Sequence, residues 1–431
     1  AGYTIRRSTV LRILLFLSLS VCLTSAAERK PWAFFGYFVG DDEGSASLET
    51  SQVRDMIELK DGLNYGSAHV VIEHDRGKEL NRTLKDFYQD YNYSGVMRYE
   101  IKNDGIYSLE KIGEKNMGDA QTFYEFLDWG MRTYPADRVV LTVNAHGSGI
   151  LSWSGPTSIQ DDKDYDDVRL VDPFVGYDAT GDNLTIIEFR QVLRRIQKRY
   201  PENRISILIF DSCLSASVEA ISELHEFTEI VLGSASTIPG TGMDYAAISR
   251  AIEAGLNPYE VSERVTEAFI RSVNGDNIIG AWNMAHAGEF LSALDRFSRE
   301  VIKAMDEGHG KGFKGVSNYS DNYWDLKDVA KSVTSGKSDF SGIQEIQDAA
   351  EKLIQSQSKM TISVWYQGKY RNSESSGLSI FWPEKDEYKK YRGFYKKLLF
   401  SKDHAWDDFL DRWLLGIRSR SEIFNDLYRD S

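Results

Sequence analysis

Residues 138–145 (RVVLTVNA) run straight into His146-Gly147-Ser148-Gly149, and residues 204–210 (RISILIF) run into Asp211-Ser212-Cys213. Both runs are β-branched and apolar, the composition of strands covered on both faces of a parallel sheet. Ligands of open parallel sheets bind beyond the carboxyl ends of the strands. The two runs therefore predict that an imidazole, a thiol, an acid and a glycine turn meet on one sheet edge.

The surrounding chain alternates strand-like and helical text. Residues 33–39 (AFFGYFV), 68–74 (AHVVIEH) and 229–235 (EIVLGSA) are further strand candidates. Between them, Phe123, Phe126, Leu127 and Met131 recur at helical spacing after Asp119. Thr185 and Glu188 form a capping box ahead of Phe189, Val192, Leu193 and Ile196, and Pro201 marks a stop. This alternation predicts an α/β fold with a mostly parallel sheet and helices on both faces. Past residue 285 the texture changes. Residues 287–359 read as helices interrupted by a Gly/Ser/Asn-rich stretch at 308–322. Strand candidates follow at 360–366 (MTISVWY) and 377–382 (GLSIFW), then a Trp-rich helical tail at 391–415. The expected organisation is a signal peptide at 1–27, a core domain at 28–285, and a helix-rich region at 286–431 that contributes late strands to the fold.

The N-terminus reads as an export signal. Arg6, Arg7 and Arg12 precede an apolar run too short to span a bilayer, and small residues follow at 24–27. Cys22 is a candidate lipid-attachment site, although Val21 before it fits that poorly. The expected location is secreted or periplasmic, with lipid anchoring as the alternative. The chain of 431 residues carries 51 basic and 65 acidic side chains and a formal charge of −14. Loss of three signal arginines would make it −17. An acidic surplus argues against a nucleic-acid partner. Two cysteines exclude a disulfide-dense scaffold and a four-cysteine zinc site, and signal removal would leave Cys213 as the lone thiol. The other histidines, among them His69, His74, His225, His286, His309 and His404, show no metal-ligand spacing.

Leu214, Val218, Ile221 and Leu224 follow Cys213 at helical spacing, which predicts that the thiol caps a helix N-terminus and is favoured as thiolate. A thiolate beside His146 is the minimum apparatus for attack on a carbonyl. The N–H groups of Gly147 and Cys213 could cradle the oxyanion. Each feature has a plainer explanation: a turn at His-Gly, a core cysteine, a helix cap at Asp211. Their convergence on one edge favours the chemical one.

The chain resembles the clostripain family of cysteine peptidases, in the clan of caspases, gingipains and legumain. His146-Gly147-Ser148-Gly149 matches that family's His-Gly-Ser-Gly, and Asp211-Ser212-Cys213-Leu214 its Asp-Ala-Cys-Leu with serine in place of alanine. Residues 116–119 (NMGD), 134–137 (YPAD), 32–41, Asp75-Arg76, 377–383 (GLSIFWP) and 406–410 (WDDFL) match in order. The resemblance implies a caspase-like α/β/α sandwich, protein or peptide substrates, and a His146–Cys213 dyad without an obligatory third carboxylate. It also implies cleavage after Arg or Lys, with Asp211 helping to bind that side chain. The specificity loop departs from the family. Ser234, Ala235 and Ser236 hold no acid and Thr241 stands where an aspartate is expected, leaving Asp244 as the nearby acid that could compensate. A non-basic specificity is the alternative. So is a catalytically silent binding protein on the same fold. A thiol hydrolase of another kind is disfavoured, because Gly-x-Cys-x-Gly is absent around Cys213.

Residues 150–182 include an acidic run, 161–167, and then Arg169. A solvated loop accounts for it. The functional alternative is self-cleavage after Lys163 or Arg169, giving two associated chains from a monomer. No cofactor is required for the chemistry and no metal site is expected. The acids at 161–167 could attract calcium, but their spacing matches no defined loop.

Overall fold

The computed structural model describes residues 27–41, 48–77, 93–150, 182–310, 312–370 and 375–417. Strand β1 (Lys30–Val39) is followed by α1 (Glu49–Gly62), β2 (Ala68–Asp75) and a hairpin of β3 (Val96–Lys102) and β4 (Gly105–Gly113). Next come α2 (Ala120–Thr133), β5 (Ala136–Asn144), α3 (Ile186–Arg199), β6 (Ile205–Asp211), α4 (Val218–Leu224) and β7 (Thr228–Gly233). Helices α5 (Tyr245–Glu253) and α6 (Pro258–Ser272) lead into β8 (Ile278–Asn283). The rest of the chain forms α7 (Ala287–Asp306), β9 (Asn318–Ser320), β10 (Tyr323–Asp325), α8 (Leu326–Thr334), α9 (Gln344–Met360), β11 (Thr361–Tyr366) and β12 (Ser379–Phe381). Helices α10 (Lys385–Tyr395), α11 (Leu399–Asp403) and α12 (Trp406–Leu410) follow, and a π-helical turn at Asp411–Leu415 comes after α12.

Among the described residues the main sheet has nine strands in the order β11-β8-β7-β6-β5-β1-β2-β3-β4. Its centre, β7-β6-β5-β1-β2, is parallel throughout. The flanks β8 and β11 on one side, and β3 and β4 on the other, are antiparallel. The sheet is thus mixed, with the expected parallel character confined to its five central strands, among them β5 and β6, which run into His146 and Cys213. The β3–β4 hairpin was not legible as strands because much of it is solvent-facing. Residues 107–111 of β4 are exposed, and that edge bears Glu110 and Lys111, charges that discourage pairing with another chain.

Alternate residues of the central strands face opposite layers, as a period of two requires. Trp32, Phe34, Ile207 and Ile209 pack under α1, α5 and α6. Phe35, Tyr37, Leu208 and Phe210 pack under α2, α3, α4 and α7. Both helix starts expected from the sequence are present. Asp119 accepts a bond from Thr122 N (3.3 Å), and Thr185 and Glu188 close a reciprocal capping box. Residues of α8 to α12 belong to the same hydrophobic cluster as α2, α3 and α7, so the C-terminal region shares the core.

The two late strands part company. β11 extends the main sheet at its edge, antiparallel to β8. β12 instead joins β10 and β9 in a separate three-stranded sheet. That small sheet is tied together by the buried carboxylate of Asp325. Its Oδ2 accepts from Tyr319 OH, Ser375 Oγ (2.6 Å) and Ser376 N (2.7 Å), and Oδ1 from Asp328 N (2.9 Å). Removing an acceptor with this many buried donors strands all of them. Asp325→Ala is expected to lose about 3 kcal/mol or more of stability, read as a lowered urea midpoint at unchanged slope.

Candidate active site

The parallel register of β5 and β6 ends with Val143 opposite Phe210 and Asn144 opposite Asp211. Ala145 N donates to Asp211 O (3.3 Å), so pairing continues one step beyond the strands. Gly147, next after His146, then lies beside Ser212 and Cys213. A Cβ placed on Gly147 would stand 2.8 Å from Cys213 O and 2.9 Å from Ser212 Cβ. Only glycine allows the two backbones this approach. His146, Gly147 and Cys213 are all half-buried, as residues at the mouth of a cleft would be.

The thiol does not cap a helix. Leu214 has φ 57°, in the left-handed region, and is the one non-glycine residue with positive φ among those described. Its N–H and that of Ala216 donate to Ser236 O and Ser234 O (3.0 Å each) and so are unavailable to a helix. Helix α4 starts only at Val218, capped by Ser217. The expected dipole stabilisation of a Cys213 thiolate is therefore absent. Burial pushes the thiol pKa up, the Ile238 N–H 3.3 Å from Sγ opposes this, and nearby Asp211 adds to the rise.

Ser234, Ala235 and Ser236 are buried and brace the thiol loop from below. Ser234 Oγ donates to Ile278 O (2.7 Å), which ties the segment to β8. Asp244 caps α5 through Ala247 N (2.8 Å) and lies 3.8 Å from Arg250, so its carboxylate already has partners. Lys163, Arg169, the acids at 161–167 and Cys22 lie outside the described residues.

Asp211 sits at the centre of a buried polar cluster that the sequence did not reveal. Its Oδ2 accepts from Tyr245 OH (2.9 Å), Asn144 Nδ2 (3.1 Å) and Met243 N (3.1 Å). The same Asn144 nitrogen is 2.9 Å from Asp55 Oδ2, and Gln52 Nε2 donates to Asn144 Oδ1 (3.0 Å). Gly242, at φ 66°, closes over the carboxylate so tightly that a Cβ there would overlap it. Burial raises the Asp211 pKa to about 6, opposed by the Met243 N–H and Tyr245 hydroxyl bonds. Burial, then Asp211, raises Asp55 well above the usual carboxylate range. Among the described residues no lysine or arginine forms an ion pair with Asp211. Asn144, two places before His146 on the strand, was the one member within reach of a motif. Asp55 and Tyr245 come from distant helices and carry no local signal.

For metals, Asp41, Asp75 and Glu114 bring one carboxylate oxygen each within 4.8 Å of one another. Calcium would need at least three more oxygens.

The family model of the clostripain family matches residues 36–413 of the chain. The chain belongs to the clostripain family. As a clostripain-family cysteine endopeptidase it hydrolyses peptide bonds of proteins or peptides. It is 22% identical to clostripain of Hathewaya histolytica over 437 aligned positions, covering 88% of this chain and 80% of the relative. Its fold is similar to a secreted C11 cysteine protease from Bacteroides thetaiotaomicron bound to an irreversible peptide inhibitor (TM-score 0.63, 16% identity, 88% of this chain and 99% of the other). It is also similar to an inactive zymogen C11 protease from Parabacteroides distasonis (TM-score 0.61, 17% identity, 88% and 99%). These likenesses establish the caspase-like α/β sandwich of a clostripain-family member. Among the described residues no helix is long and apolar enough to cross a membrane.

Gly147→Ala should lower kcat/KM on a peptide substrate by about 100-fold, because the two backbone segments must separate to admit the methyl group. The melting temperature should stay within a few degrees. The paired measurement is steady-state hydrolysis and thermal unfolding of the same preparation.

Proposed function

We propose that His146 and Cys213 form the catalytic dyad of this endopeptidase. The observation that carries the proposal is the contact of the Gly147 backbone with Ser212-Cys213 at the ends of paired strands. In the proposed cycle the Cys213 Sγ attacks the scissile carbonyl carbon while its proton passes to His146. The imidazolium gives that proton to the leaving amine, and the C–N bond breaks to leave a thioester. Water, deprotonated by His146, then hydrolyses the thioester and regenerates the thiol. The N–H groups of Gly147 and Cys213 are the donors for the oxyanion. Cys213→Ala is expected to abolish hydrolysis of peptides ending in a fluorogenic leaving group. Retained turnover in that variant would exclude the mechanism.

The substrate side chain before the scissile bond is proposed to be Arg or Lys. Asp211 is a buried carboxylate with hydrogen bonds but no counterion among the described residues, and an incoming cation would supply one. Ser234, Ala235 and Ser236 shape the wall beside it, whereas Asp244 is engaged at its cap. Asp211 titrates near pH 6, raised by burial, so the free enzyme carries the charge above that pH and loses it below. The ratio of kcat/KM for an Arg substrate to that for a matched Gln substrate should therefore rise about tenfold from pH 5 to 7.5. Asp211→Asn should flatten the ratio. A ratio that is already flat in the wild type would rule out the pocket assignment.

Export and self-processing complete the proposal. The charged, apolar, small-residue order of residues 1–27 supports removal of a signal, and a structural neighbour is described as a secreted protease. Cleavage after Lys163 or Arg169 fits the basic preference, and another neighbour is described as an inactive zymogen. Purified wild type should resolve into two associated chains whose new N-terminus is Asp164 or Leu170, and Cys213→Ala should remain one chain.

A further inference from the structure

The small sheet β9-β10-β12 touches both reactive loops. From β10, the Tyr323 hydroxyl accepts from Ile150 N (2.7 Å) and donates to Ser148 O (3.5 Å). Its ring fills the space beside Gly149, which has φ 77° and no room for a Cβ against that hydroxyl. From β12, Ser379 donates through both its N–H and Oγ to Ala216 O (3.0 Å each), three residues after Cys213. β10 and β12 are paired with each other, Tyr323 opposite Phe381 and Asp325 opposite Ser379. One hydrogen-bonded unit, clamped by the Asp325 carboxylate, therefore holds the His146 loop by one strand and the Cys213 loop by the next.

We propose that Tyr323 is a positioning residue for His146. Its hydroxyl fixes residues 148–150, and the small sheet passes the position of Ser379 and Ala216 to that loop, so that imidazole and thiol keep one separation. This rests on the dyad reading above. Ile150 is four residues from His146, and Gly147 and Gly149 within that tether are both held against neighbours that leave no room for a Cβ. The hydroxyl is buried, since Tyr323 is 1% exposed, so its two bonds are not exchanged with solvent. Hydrogen-bond reach between base and nucleophile is narrow, and a displacement near 1 Å can cost about 100-fold in rate.

The test uses the full-length purified protein and the pH dependence of Cys213 alkylation by iodoacetamide, which reports how the imidazole tunes the thiol. His146→Ala is the reference for a lost imidazole and should move the alkylation midpoint. Tyr323→Phe keeps the ring and removes only the hydroxyl. It should move the midpoint in the same direction by about half a pH unit and lower kcat about tenfold, with KM within about twofold of wild type. Phe381→Leu loosens the packing against the Tyr323 ring while leaving the Tyr323 hydroxyl and the backbone bonds in place. It should lower the melting temperature and leave the alkylation profile in place. A Tyr323→Phe profile superimposable on wild type overturns the assignment. So does a Phe381→Leu shift as large as that of Tyr323→Phe, because general loosening would then explain both. If His146→Ala itself leaves the profile unmoved, the dyad reading fails instead.

Discussion

The parallel pairing of β5 with β6 is the constraint on which the rest of the structure depends. It sets Asn144 opposite Asp211 and so brings the chain ends that carry His146 and Cys213, 67 residues apart in sequence, to one sheet edge. Both strands are buried on both faces, between α1, α5 and α6 on one side and α2, α3 and α4 on the other. A slip of one residue would exchange every inward and outward side chain, so packing locks the register. The approach of Gly147 to Cys213 is a consequence of that lock, and it forbids a side chain at position 147.

The same edge is stiffened by buried polar groups. One Asn144 amide nitrogen serves both Asp55 and Asp211, while its oxygen is held by Gln52. Two carboxylates within reach of one nitrogen cannot both ionise freely in a desolvated site, and both are raised. The Cys213 thiol is raised as well by burial and rests against the Ile238 N–H.

The region beyond residue 286 is tied to the segment after Cys213 through two glutamates of α4. Glu219 accepts from Phe381 N (2.9 Å) and Tyr395 OH (2.8 Å), and Glu223 from Leu399 N (2.5 Å) and the Arg190 side chain. The segment that follows Cys213 is thus hooked to β12, α10 and α11. Burial raises Glu219 to about 7 and also raises Glu223, which the Arg190 guanidinium opposes.

Much of this was written in local text. The apolar runs 33–39, 138–145 and 204–210 mark strands covered on both faces, and the Thr185–Glu188 box marks a helix start. His146-Gly147 and Asp211-Ser212-Cys213 announce the thiol chemistry by their place at strand ends. Sequence alone therefore determined the α/β class, the family and the candidate dyad, because periodicity and short motifs are set by neighbours a few residues apart. It misplaced the start of α4, because the left-handed Leu214 and its bond to Ser236 O depend on a loop more than 20 residues away. It also missed the hairpin β3–β4, the company of Asp211 and the hold of Tyr323 on the His146 loop. Those were decided by tertiary structure alone, since each joins groups from distant elements that only the closed sheet and shared core bring within hydrogen-bond distance.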